Sequence, residues 1–305
     1  METKIPYEKT FKTPEELVNV LQSRGLLVPN IEAAINSVSN IGYYRLSAYM
    51  YPLLQIPKKE HRYKAGASFN KVMMLYRFDK KLRVFIFNEI EKIEIAIRAA
   101  IVDCGCEFFT DPFWMTNQVH FKDVKKFNHT MELIESELNH SREDFIVHFK
   151  QKYIESYPPA WILSEILPLG VISSLYSNIK DIRLKKNIAQ RFGLQRHPFE
   201  SWLTIVTLTR NACCHHARIW NKQNSIRPMM PNHTAYPWVG RPIVPVRIFF
   251  NLCIIKYFVN IISPENDMGQ KLKTLLSDYP EVDTSAMGFP QGWEEEPVWN
   301  STVVS

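Results

Sequence analysis

The sequence predicts an all-α protein from three observations. Apolar residues recur at three- and four-residue spacing along most of the chain, helix start and stop signals stand at the ends of those stretches, and no segment alternates strongly enough for a sheet. At 305 residues and 46% hydrophobic content, the chain has enough apolar material for a full core without covalent staples.

The elements follow in order. Thr13 can cap a helix whose first position suits Pro14 and whose capping box Glu16 completes, and Gly25 supplies a left-handed stop. A second helical stretch spans about Ile31 to Asn40, and Gly42 then opens the tyrosine-rich run YYRLSAYMYPLL, which Pro52 and Pro57 end. Residues 1–65 are therefore expected to form a small helical lead-in. From Ser68 to Val102 runs the longest helical pattern, with Phe78, Leu82, Phe85, Ile86, Ile90, Ile93 and Ile97 on one face. Glu94 and Arg98 stand on its other face, at the spacing where opposite charges meet across one turn.

Phe108 to His120, aromatic and broken by Pro112, reads as a loop, and further helices are expected at about 121–139, 142–156, 160–178, 181–192 and 198–217. The prolines at 228, 231, 237, 242 and 245 forbid a long helix and describe an extended crossing loop. A helix from about Val246 to Ile262 closes a helical domain over residues 66–277, and residues 278–305 read as an irregular tail.

Composition excludes several classes. The five cysteines form no regular framework and no C-x-x-C pair, which points to a reducing, cytoplasmic setting. The N-terminus lacks the basic start and apolar run of a secretory signal. The longest apolar stretch, Leu252 to Ile262, is far shorter than the roughly 20 residues that span a bilayer, so no membrane association is expected. A net charge of +6 and a pI near 8.9 favour a polyanionic partner. Lys180, Arg183, Lys185, Lys186, Arg191 and Arg196 crowd one segment, where they also suit a solvated helix face.

The chemistry concentrates in WLTIVTLTRNACCHHARIWN, residues 202–221, where Arg210, Asn211, His215, His216, Arg218 and Asn221 follow an apolar helical face. Polar groups at the end of a buried helix cost desolvation unless they are paired or used. Asn211 and His215 are four apart, so on a continuous helix the amide can bond an imidazole nitrogen and set its tautomer, while Arg210 can reach a phosphate. Cleavage through a ribose 2′-hydroxyl needs a proton acceptor, a proton donor and positive charge over the phosphorus. Histidine suits either of the first two roles, and the planar fork of arginine suits the third.

One histidine does not readily serve as acid and base together, and on a helix His216 points about 100° away. A second copy of the motif across a two-fold axis would supply the partner, so a homodimer is expected. Arg142 with His148, Arg191 with His197 and Arg227 with His233 repeat a similar arginine-to-histidine spacing, but Arg210 alone is followed by Asn within an expected helix. Four adjacent helical residues, Cys213 to His216, fan around the axis and do not close on one tetrahedral ion, so no metal is expected here. There is no Gly-rich phosphate loop.

Tyr43, Tyr44, Tyr49 and Tyr51 with Arg45 could stack and clamp bases, although tyrosines at helical spacing are more often packing residues. Trp161 and Glu165, four apart, read as a core anchor and a buried carboxylate.

Five segments resemble, in order, the Abi-like proteins of the abortive-infection D/F type: GYYRLSAYMYPL, FDKKLRVFIFNEIEKIEIAIRAAI, PPAWILSEILPLGVISSLYSNI, LTRNACCHHARIWN and DTSAMGFPQGWEEEPVW. The resemblance implies a HEPN-type helical bundle with an Arg-Asn-x-x-x-His ribonuclease motif and a toxin-like role in phage defence. Its motif arginine then falls on Arg210, the following polar residue on Asn211 and the histidine on His215, with Cys214 where the family often has alanine. His216, Arg218 and Asn221 match as well, and with Tyr44 and Arg45 are candidate RNA contacts. The implied enzyme is a metal-independent, cofactor-free endoribonuclease acting on RNA, under a regulatory small RNA or an antitoxin. The alternative is a helical protein that binds RNA or a partner without cleaving.

Overall fold

The computed structural model describes residues 6–8 and 10–300, and within them the chain is all-α. Thirteen α-helices run in the order α1 Pro14–Ser23, α2 Ile31–Ile41, α3 Tyr43–Met50, α4 Phe69–Phe109, α5 Val124–His140, α6 Asp144–Lys152, α7 Ala160–Ile166, α8 Leu169–Asn178, α9 Ile182–Gln190, α10 Arg196–Cys214, α11 Ile248–Ile262, α12 Met268–Ser277 and α13 Pro297–Asn300. Extended pairing among the described residues is limited to isolated bridges such as Leu54 with Tyr63. Two compact units emerge, Met1–Leu82 with Asp278–Val282, and Arg83–Ser277 with Asp283–Ser305. The division falls inside α4.

In the first unit the capping box forms as expected: Thr13 N–H donates to Glu16 Oε2 at 2.7 Å and Glu16 N–H to Thr13 Oγ1 at 3.3 Å. Gly25, at φ 88°, follows the last turn of α1, and Gly42, at φ 90°, ends α2. Val18, Leu21, Ala34, Val38 and Leu46 make its small core. Tyr49, placed among the stacking candidates, is buried and donates its hydroxyl to the buried Asp79 at 2.6 Å, so it packs rather than stacks.

In the second unit Ile86, Ile90, Ile93 and Ile97 of α4 are fully buried, which is the face the periodicity predicts. The helix runs on through Phe109, seven residues beyond the expected end at Val102. The stretch expected as one helix over 160–178 is two. Pro168 disfavours helical backbone at Leu167, which is extended at φ −84° and ψ 132°, and α8 restarts after it. Trp161 and Glu165 are both exposed, and the buried positions of α7 are Ala160, Leu163 and Ser164, so the expected core anchor is corrected.

The proline-rich loop is held by specific bonds. Trp202 Nε1 donates to Met229 O at 2.9 Å, and Met229 N–H donates to Ser201 Oγ at 2.8 Å. Arg241 pairs with the buried Glu296. Helix α11 is buried from Ile248 through Asn260. The tail, irregular apart from short turns, packs Trp293, Val298 and Trp299 inward, with the Trp299 indole donating to Cys253 Sγ at 3.3 Å.

Candidate functional site

Helix α10 carries the polar cluster to the edge of the second unit because its first four turns are anchored by Phe199, Trp202, Leu203, Ile205 and Val206, all buried. Near its end Arg210 Nε lies 3.4 Å from Glu94 Oε2 of α4. The other oxygen of that carboxylate accepts from Arg98 Nη2 at 3.0 Å, and Arg98 Nη1 donates to Leu167 O at 2.9 Å. One carboxylate therefore sits between two guanidinium groups, and the trio keeps one positive charge.

The Arg210 contact is an ion pair without a hydrogen bond, since Nε is buried with no acceptor in line. Among the described residues nothing accepts from its terminal nitrogens either, which leaves that edge of the fork unspent. Its guanidinium carbon lies 6.0 Å from the centre of the Phe87 ring, a face partly open to solvent. Glu94 thus fixes the arginine by charge while its outer donors stay available to an anion.

The histidine end differs from expectation. Helix α10 stops at Cys214 rather than near 217, and His215 is its C-cap. His216 N–H bonds Cys213 O at 3.1 Å and Ala217 N–H bonds Ala212 O at 2.9 Å, with His216 left-handed at φ 54°. These two bonds make a Schellman ending with histidine where glycine is usual. The winding reverses there, so His215 and His216 are both exposed and the ideal-helix angle between them does not apply. Among the described residues no side-chain hydrogen bond joins Asn211 to His215; the link between them is His215 N–H to Asn211 O at 2.9 Å. The tautomer-setting amide is therefore not formed.

After the turn, Arg218 is half-buried and Asn221, at φ 46°, accepts from Arg247 Nη1 at 3.2 Å. The Ala217 carbonyl accepts from the buried Arg83 of α4 at 3.4 Å. Two of the four left-handed non-glycine residues among those described, His216 and Asn221, bracket this short segment. Such backbone persists only where its surroundings over-determine it, and here Arg83 and Arg247 do so.

Behind the motif, Asn251 of α11 donates to Thr209 Oγ1 at 2.9 Å and accepts from Asn224 Nδ2 at 2.8 Å. A cavity of about 290 Å³ opens beside it, with Leu208, Ala212 and Lys222 in its wall.

Sequence reasoning paired Glu94 with Arg98 but missed that Glu94 also takes Arg210, and it missed Arg83, Arg247 and Asn251. The signal for Glu94 was its place on the polar face of a core helix. Arg83 and Asn251 sit within apolar runs and offered none. Half of the basic segment is paired: Lys185 is buried against Glu200 at 2.7 Å, Arg183 pairs with Asp181 at 2.9 Å and Arg191 with Asp103 at 3.3 Å. Burial lowers the Lys185 ammonium below its ordinary range, against the pull of Glu200. Among the described residues no three His, Cys, Asp or Glu side chains group as metal ligands, and no helix is long and apolar enough to cross a membrane. Tyr44 and Arg45 lie exposed on α3, in the first unit.

Comparison with protein-family models gives a match to the Abi-like protein model over residues 36–221, more than half of the chain. The chain belongs to the Abi-like protein family. No curated protein and no solved structure matches it. The family match takes in Tyr44, the Glu94–Arg98 pair and the whole motif from Arg210 to Asn221. It ends there, so Arg247 and Asn251, which brace the motif from α11 and the residue before it, lie outside the family model.

Proposed function

We propose that the chain is a metal-independent endoribonuclease of the HEPN type, acting in abortive infection. The observation that carries this reading is the state of Arg210: held through Nε by Glu94, with its terminal donors unspent, one turn before an exposed histidine. In this reading Arg210 stabilises the charge that develops on the phosphate. His215 takes the proton of the ribose 2′-hydroxyl, or returns one to the leaving 5′-oxygen. The 2′-oxygen displaces the 5′-oxygen at phosphorus, leaving a 2′,3′-cyclic phosphate and a 5′-hydroxyl.

A homodimer bringing two motifs together supplies the second imidazole, in the manner of an isologous two-fold contact. His216, Arg218 and Asn221 belong to the RNA-facing segment, and a small RNA or an antitoxin restrains the toxin in the cell. Asn211, with no bond to the imidazole, shapes the turn through its carbonyl.

A second reading, RNA binding without cleavage, is favoured by one observation: among the described residues nothing orients the His215 ring. The deciding experiment incubates purified protein with single-stranded RNA in EDTA and maps the ends. The nuclease reading expects 2′,3′-cyclic phosphate products, resistance of DNA and of 2′-O-methyl RNA, and weaker action at high salt. Activity that requires magnesium or zinc, or 5′-phosphate products, overturns it. Tight binding with no cleavage establishes the second reading.

A further inference from the structure

The first unit contains a cavity of about 1010 Å³, at the upper end of what small-molecule pockets enclose. Its wall is aromatic: Tyr43 and Tyr44 from α3, Tyr51 just after it, Tyr63 from the following turn, and Tyr7 and Phe11 from the segment before α1. Several of these rings are not packed away. Tyr44 is 92% exposed, Phe11 88%, Tyr7 84% and Tyr51 56%, and exposed apolar rings gathered around one cavity are the mark of an interaction site.

The cavity is also charged in one sense. Among the described residues its wall holds the cations Lys12 and Arg24, with His61 beside them, against the carboxylate of Glu8. Lys58 sits with Nζ 3.9 Å from the centre of the Tyr51 ring and donates to Tyr51 O at 3.0 Å, fixing that ring and adding another cation beside it. Part of the wall is fixed by packing: Tyr63 is buried and its N–H donates to Arg24 O at 3.0 Å. Flat apolar faces beside cations suit a ligand that is itself flat and anionic, and a single-stranded nucleic acid presents both features in every residue. A hydrophobic peptide would leave the cations unmatched.

We propose that this cavity is a nucleobase-stacking site that holds single-stranded RNA, with Tyr44 and Tyr51 as the platforms and Lys12 and Arg24 on the phosphates. The inference rests on the reading of the chain as a protein that acts on RNA, but not on cleavage. Stacking is sequence-tolerant, so the site grips RNA without choosing its sequence.

The test uses the full-length protein and a fluorescent single-stranded RNA methylated at every 2′-oxygen, which cannot be cleaved by 2′-hydroxyl attack. Tyr44→Ala and Tyr51→Ala should each weaken binding roughly ten-fold, the affinity of one stacked base. Tyr51→Phe should bind as wild type, and the salt dependence should not change. An otherwise identical abasic oligomer should bind wild type no better than the base-bearing oligomer binds Tyr51→Ala. Thermal melts matching wild type confirm that the variants fold, as the exposure of Tyr44 leads one to expect.

Equal affinities for base-bearing and abasic oligomers, or unchanged binding by both alanine variants, would overturn the proposal. The failure of the nuclease reading looks different: RNA with free 2′-hydroxyls stays intact while base-dependent binding persists.

Discussion

The two units of this chain differ in how much charge they bury and in how many aromatic rings they leave exposed near one another. The second buries charge: Arg83, Glu89, Lys185, Lys256 and Glu296 are all hidden from solvent, along with Trp202, Phe199, Tyr257 and Phe258. The first buries Asp79 as its one such charge among the described residues and leaves Tyr7, Phe11, Tyr44 and Tyr51 in the open. A buried charge needs an ionic or hydrogen-bonding partner, and such pairing fixes its position, as Glu94 fixes Arg210 at the edge of the same unit. An exposed ring is placed less strictly, but it meets any base that arrives. On the two proposals made above, the first unit would hold RNA and the second would act on it.

The largest expected effects break this division outright if they fail. With cleavage as the readout, His215→Ala should lower the rate about 10²- to 10⁴-fold and Arg210→Ala about 10²- to 10³-fold, without loss of fold. At saturating RNA, Tyr51→Ala should cleave at the wild-type rate. A comparable loss there would place the first unit in the chemistry. In mixed dimers, one His215→Ala subunit should remove most of the activity, and a fully active monomer would end the paired-motif argument.

A middle tier concerns the pairing itself. Glu94→Ala leaves Arg98 and Arg210 facing each other as like charges and should cost about 1–3 kcal/mol in a denaturant titration. Asn251→Ala leaves the Asn224 amide without its acceptor and takes one donor from Thr209, which keeps its bond to Ile205 O, and should cost about 1 kcal/mol, with the RNA binding proposed for the first unit unaltered. If either change weakens binding of uncleavable RNA as strongly as Tyr51→Ala, the separation of roles is wrong.

The smallest effects sharpen the comparison. His216→Gly relieves a left-handed side-chain residue, worth about 1 kcal/mol of backbone strain, against whatever the imidazole contributes through its own interactions, and a melt of the variant beside wild type reads the balance. A gain in melting temperature with a loss of cleavage would mean that the strained turn serves the reaction.

The buried Lys256 offers a pH test. Burial pushes its ammonium down to about 8, against the opposing pull of Glu89 and Asp267. The unfolded chain then holds more protons than the folded one between about pH 8 and the ordinary lysine value, so this group makes stability rise with pH across that window. Lys256→Met should remove that rise when wild type and variant are melted side by side from pH 7.5 to 10. Identical pH profiles would show that the lysine is solvated in the folded state.

The helices and the motif were legible because both are local properties. The 3.6-residue period of Phe78 to Ile97, the Thr13–Glu16 capping box and the spacing of Arg210 to His215 need no partner to be seen. Even the break at Pro168 was written locally, in the clash of proline with the residue before it. What the sequence by itself determined was therefore the all-α class, the core face of α4, and which short segment carries the polar groups of the site. Tertiary structure alone decided that Glu94 serves two arginines, that Tyr49 packs while Tyr44 and Tyr51 stay bare, and that α10 ends before His215. Each of these depends on energies set by groups distant along the chain: desolvation for the ion pairs, cavity filling for Tyr49, and the anchoring of the turn by Arg83 and Arg247. Periodicity records which face of a helix is buried, but not what lies opposite it.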